Sequence, residues 1–161
     1  MLLAPAPAPS PSPSPSPSPS PATLAPLVGT ADFDTELARL LDTLDASQLN
    51  DIEIACVRRQ AAHYADRLVT VLRHRAREAV ADRETDSRWP VVAINFGSCD
   101  WENGWFWCEY SAELRHLDGT VSTVDLAFDD VSEVLADLAA TDQPQSGETL
   151  TVDLRTGSVT Q

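Results

Sequence analysis

From Pro5 to Pro21 every second residue is proline, in the run PAPAPSPSPSPSPSPSPA. No hydrogen-bond ladder survives that spacing: proline has no amide hydrogen, its ring is excluded from helix interiors, and it pushes the preceding residue into extended conformations. The segment is expected to be a disordered, solvated spacer of polyproline-II type, rising about 3.1 Å per residue. We take residues 1–28 as this Pro/Ala/Ser-rich tail and residues 29–161 as a single α+β domain, long enough for one hydrophobic core. Ahead of the repeat, MLLA has neither the basic start nor the apolar length of a signal peptide. No apolar run approaches the roughly 20 residues that cross a bilayer. A cytoplasmic chain without membrane contact is the expectation.

The net charge of −14 is unevenly distributed, and every cation is an arginine. Residues 31–55 and 91–161 are strongly acidic, whereas residues 56–90 hold eight Arg against five acids. An acidic total argues against general nucleic-acid binding. The basic middle segment is expected to lie against the acidic remainder of its own domain. The other use of Arg58, Arg59, Arg67, Arg73, Arg75 and Arg77 would be an anion or nucleic-acid site with steeply salt-dependent binding.

Helical periodicity comes first along the chain. In ADFDTELARLLDTLDAS, Phe33, Leu37, Leu40, Leu41 and Leu44 share one face, and the acids fall in the first turn where the helix dipole favours them. A second, long helix is predicted from about Asn50, which can cap while Glu53 reaches back and Leu49 staples onto Ile54. From there Ile54, Val57, Ala61, Tyr64, Leu68 and Val71 form a heptad-like seam, which needs cover from the same chain or from a second copy in a homodimer. Cys56 on this helix reads as a small buried hydrophobe. His63 and His74 lie off the seam, too far apart to share a metal.

After Trp89-Pro90, three alternating runs (VVAINFGS, WFWCEYSAELRH and TVSTVDLAF) are joined by ENG and LDG, both hairpin signals. A two-residue turn at Asn103-Gly104 would set Cys99 opposite Cys108. A three-residue loop, Glu102-Asn103-Gly104, sets Cys99 opposite Trp107 and aligns Val92, Ile94 and Phe96 with Leu114, Ala112 and Tyr110. Burying those side chains, at roughly 1.5–3 kcal/mol each, favours the three-residue loop. The same logic at Leu117-Asp118-Gly119 pairs Ala112 with Val124. In that register the cysteines fall on opposite faces, even-numbered residues of 92–114 point inward, and no disulfide forms. Neither cysteine has the spacing of a metal site, so no metal is expected.

The outer face then carries Trp101 opposite Trp105, with Trp107 beside Cys99. Three indoles on a polar face form a patch that needs either intramolecular cover or a partner. Asp100 and Glu102 give it an acidic rim, suited to a basic partner through charge complementarity and cation–π contact. FDDVSEVLADLAAT predicts a third helix with Asp130 as cap, Glu133 behind it, and Val131, Val134, Leu135 and Leu138 inward. ETLTVDL predicts a fourth strand that joins the sheet beside the first, parallel to it.

The expected fold is therefore two N-terminal helices, one of them long, packed on an antiparallel three-stranded meander, followed by a helix and a fourth strand. No phosphate-binding loop, nucleophile elbow, metal motif or pair of catalytic carboxylates is visible, and no cofactor is expected. A binding role is therefore expected rather than catalysis. The leading expectation is an acidic protein-interaction module that contacts its partner through Trp101, Trp105, Trp107, Asp100 and Glu102, or through the helical seam. The alternative is an acidic nucleic-acid mimic that occupies the basic groove of a DNA- or RNA-binding protein.

Overall fold

Asp45 starts the longest element of the chain. Its carboxylate accepts the Gln48 N–H at 2.9 Å while the Gln48 side-chain oxygen accepts the Asp45 N–H at 2.9 Å. This reciprocal box launches a helix at Ala46, so Asn50 and Glu53 are interior residues rather than the expected cap. The computed structural model describes residues 28–161, so the expectation for the proline repeat lies outside the described residues. The described residues divide into two units, 28–51 and 52–161.

In the first unit, α1 (Ala31–Leu41) has Asp32 and Asp34 in its first turn and Arg39 in its last, matching both ends of the helix dipole. The helix α2 (Ala46–Ala81) begins in this unit and continues through the second. The second unit adds β1 (Val91–Trp101), β2 (Gly104–Trp107), β3 (Ala112–His116), β4 (Val121–Val124), α3 (Asp129–Thr141), β5 (Thr149–Asp153) and β6 (Val159–Thr160). All pairings are antiparallel, in the order β4-β3-β1-β5-β6, with β2 paired to the far half of β1.

One hydrophobic cluster joins the helices to the sheet. Leu68, Leu72, Ala76 and Ala79 of α2 and Val131, Val134, Leu135 and Leu138 of α3 close over Ile94, Phe96, Ala112, Leu114, Leu150 and Val152. Each of the larger side chains contributes roughly 1.5–3 kcal/mol by burial. The stripe of α3 is the predicted one. That of α2 is not: Leu68 is part of the core, but Ile54 and Val57 are 41% and 44% exposed and Cys56 is exposed as well. The apolar periodicity runs past the stretch of helix that the sheet covers.

The second hairpin follows expectation. His116 N–H donates to Thr120 C=O, Leu117-Asp118-Gly119 form a three-residue loop with Gly119 at φ +87°, and Ala112 faces Val124. The first hairpin does not. Trp101 pairs with Gly104 across a two-residue turn, Glu102-Asn103, so Cys99 faces Phe106 and Ser98 faces Trp107. The expected 12-residue middle strand is also broken, by a single 3-10 turn at Glu109–Ser111. Five steps along β1, from Asp100 to Asn95, are matched by eight on the facing chain, from Trp105 to Glu113. The three residues of the 3-10 turn absorb the difference. Because three is odd, the inward face changes parity: Trp107 points inward in β2, while Ala112 and Leu114 point inward in β3. Ile94 therefore pairs with Leu114, not Ala112, and Tyr110 is 54% exposed rather than opposite Phe96.

The last strands also correct the expectation. Residues 142–148 carry the chain back to the hairpin end of β1, where Ser98 N–H donates to Glu148 C=O at 3.0 Å. From that end β5 must run antiparallel to β1, not parallel. Asp153 then accepts the N–H groups of Arg155 and Thr156, both at 2.8 Å, and turns the chain into the short edge strand β6. At α3, Asp130 does not cap: Phe128 holds the cap position, and the Asp130 carboxylate instead receives Arg75 at 3.0 Å.

Candidate functional site

The arm formed by β2 and the end of β1 stands beside α3. Among the described residues β2 pairs only with β1, and its other edge makes no ladder with them. Between that edge and α3 lies a groove of about 560 Å³. Its hairpin wall is Trp101, Phe106 and Trp107, with Glu102 and Asn103 at the tip, and its helix wall is Ser132, Leu135 and Ala136. Glu109 from the 3-10 turn closes one end and accepts the Ser132 hydroxyl at 3.1 Å. The floor is apolar and the rim is acidic.

The three hairpin tryptophans do not form the expected outer patch. Trp107 is 2% exposed and belongs to the core while also lining the groove; its N–H has no hydrogen-bond partner among the described residues. Trp105 pairs with Asp100 and is half-buried. Trp101, 54% exposed, stands at the lip, and its indole N–H points to Cys99 Sγ at 3.2 Å. Glu102 lines the groove and Asp100 is exposed on the arm outside it. Of the residues singled out from the sequence, Trp101, Glu102 and Trp107 line this groove and Trp105 and Asp100 do not; Trp107 points into the core rather than to the outer face. Phe106, Glu109, Ser132, Leu135 and Ala136 line it too and were not singled out for a site; Ser132 and Ala136 are visible in the sequence only as small residues beside the apolar stripe of α3.

The cysteines also differ from expectation. Cys99 faces Phe106, and Cys108, whose N–H donates to Gly97 C=O, falls on the same side of the arm. Both are free thiols. Burial raises the Cys99 thiol above its ordinary value, the Trp101 N–H partly offsets this, and the neighbouring Cys108 thiol raises it further. Such a thiol stays protonated and is a poor nucleophile. Cys108 Sγ lies 3.5 Å from Ser111 Oγ. Among the described residues no group of three or more His, Cys, Asp or Glu is placed to hold a metal ion.

Electrostatics divides the arginine-rich segment. Arg67 reaches Glu133 at 2.8 Å and Asp137 at 3.8 Å, while Arg75 reaches Glu78 at 2.9 Å and Asp130 at 3.0 Å and stacks 4.2 Å over Phe128. The pairs with Glu133, Asp137 and Asp130 tie α2 to α3, and place these two arginines against acids of their own domain rather than in the alternative anion site. His116 is buried. Its Nδ1 lies 2.8 Å from Trp89 C=O and its Nε2 lies 3.0 Å from Ser122 Oγ. No helix among the described residues is long and apolar enough to cross a membrane.

Compared with protein-family models, curated proteins and solved structures, the chain matches none.

Proposed function

We propose that this protein is a protein-interaction module whose site is the groove between the β1–β2 arm and α3, and whose partner is an extended segment carrying apolar and basic residues. The observation that carries the proposal is the union of a free strand edge with an apolar, acid-rimmed groove of about 560 Å³. A free edge recruits an extended peptide by main-chain hydrogen bonds, and the adjoining groove selects alternate side chains. Trp101 at the lip is the side-chain type most enriched in binding hot spots, and Glu102 and Glu109 favour Lys or Arg beside the inserted group. Free thiols at Cys99 and Cys108 fit a reducing compartment, so a cytoplasmic setting is part of the proposal. Three of the four acids of α3, Asp130, Glu133 and Asp137, are paired with Arg67 and Arg75, which favours this function over nucleic-acid mimicry.

Selection of a random peptide library on the full chain tests the proposal. Enriched peptides should combine an aliphatic or aromatic residue with neighbouring Lys or Arg. Binding should fall by about tenfold or more in Trp101→Ala and in Ala136→Arg, which fills the groove from an exposed position. Peptides without that pattern, or peptides held equally by both variants, would sink it.

A second contact is favoured by the exposed apolar side chains Ile52, Ile54 and Val57 on α2, which suit a second copy of the chain. Leu68 of the seam is fully buried in its own core and takes no part. Sedimentation velocity of the wild type and of Ile54→Glu/Val57→Glu tests this: a wild type that stays monomeric at high concentration ends it.

A further inference from the structure

Among the described residues, the arginines with a carboxylate within salt-bridge distance are Arg39, Arg67 and Arg75. Arg73, Arg77 and Arg88 are not among them, and they meet at one place. Arg73 and Arg77 are one helical turn apart on α2, and Arg88 comes from the segment between α2 and β1. Together they edge a second groove, of about 390 Å³, whose other walls include Val80, Val91 and Leu154. Its walls carry no aromatic ring and no acid. The Arg73 guanidinium is held in position without being neutralised: its Nε and Nη2 donate to Leu154 C=O at 2.9 and 2.8 Å. Arg77 and Arg88 are exposed. In a chain of net charge −14, three guanidinium groups without carboxylate partners around one aliphatic groove form a local field opposite in sign to the whole.

We propose that this groove binds a small amphiphilic carboxylate, with its aliphatic body against Val80, Val91 and Leu154 and its carboxylate between Arg77 and Arg88. The guanidinium fork matches a carboxylate with two parallel hydrogen bonds, which a lysine pair would not reproduce. The volume lies within the range of small-molecule sites. An aliphatic floor without rings suits a hydrocarbon chain and gives a nucleobase nothing to stack on. Arg73, fixed by Leu154, adds charge at the wall without having to be ordered when the ligand arrives.

Isothermal titration of the full chain with decanoate, decanamide and inorganic phosphate tests the site. Decanoate should bind saturably at one site per chain, and decanamide and phosphate should each bind at least about tenfold more weakly, since each lacks one of the two recognised parts. Arg77→Gln and Arg88→Gln, both at exposed positions, should each weaken decanoate by about tenfold, while Ala136→Arg in the other groove leaves it unchanged. Circular dichroism of each variant checks that it keeps its fold. The proposal is overturned if decanoate does not bind, if decanamide or phosphate binds as tightly, or if the arginine variants bind decanoate like wild type. Binding of a duplex oligonucleotide without binding of decanoate overturns it too and assigns the arginines to nucleic acid.

Discussion

His116 Nε2 lies 3.0 Å from Ser122 Oγ, and both residues are almost fully buried. The Trp89 carbonyl at the other ring nitrogen can only accept, which places the imidazole hydrogen on Nδ1 and makes Nε2 the acceptor of the Ser122 hydroxyl. The same Ser122 oxygen accepts the Asp86 N–H at 3.2 Å. One serine thus joins β3, β4 and the segment leading into β1.

Ser122→Ala removes a donor and an acceptor together, strands the buried His116 Nε2 and takes the partner of the Asp86 N–H away. A loss of about 1–3 kcal/mol in unfolding free energy is expected, measured by urea titration. A change below about 0.5 kcal/mol, the ordinary range of a neutral surface substitution, would show that the network is not structural.

At Trp107 the polar and apolar parts of one side chain make opposite predictions. The indole N–H is buried without a partner among the described residues, so Trp107→Phe removes an unsatisfied donor and loses only part of the ring. The expected cost is about 1.5 kcal/mol or less, against about 3–5 kcal/mol for Trp107→Ala, which empties the site. Equal losses in the two variants would mean that the N–H has a partner after all.

Gly104 holds φ +126°, and a Cβ there would overlap the Gln143 carboxamide. Gly104→Ala should destabilise by about 1–3 kcal/mol through backbone strain. Most of that loss should persist in the Gln143→Ala background, because the carboxamide can swing aside and the dihedral cannot. Full rescue by Gln143→Ala would assign the penalty to the clash instead.

Two turn carboxylates add a pH dependence to the stability of the fold. Asp153 is held below its ordinary value mainly by the Thr156 and Arg155 amides, and Asp118 mainly by the Thr120 hydroxyl. A carboxylate depressed in the folded chain contributes fully above its unfolded value of about 3.9, and that contribution is lost as pH falls through the folded value. Asp153→Asn keeps an acceptor but cannot titrate. It should be less stable than wild type at pH 7, with the gap narrowing below about pH 4 in thermal melts. A gap independent of pH would remove Asp153 from the account.

What the sequence disclosed followed from how local each determinant was. Val131, Val134, Leu135 and Leu138 all point into the core because three turns of one helix decide them. The Leu117–Gly119 loop is set by a glycine at positive φ, again a local matter. The start of α2 was misplaced because Asn50-x-x-Glu53 and Asp45-x-x-Gln48 carry equivalent capping signatures, and only the second is used. The first hairpin was misread because Cys108-Glu109-Tyr110-Ser111 continues the strand-like composition on either side. Nothing in those four residues announces a 3-10 turn that shifts the ladder by three residues. The groove was half visible for the same reason: its aromatic wall is contiguous in sequence, whereas its helix wall arrives through tertiary packing.

The 3-10 turn at Glu109–Ser111 has a bearing on how such a chain can change over generations. Because it uncouples the pairing of the arm from that of the core strands, residues can be inserted or deleted around Glu102 and Asn103 without sliding Ile94 off Leu114. The exposed tip at Glu102 and Asn103 is free to drift in length and chemistry while the scaffold beneath it stays in register.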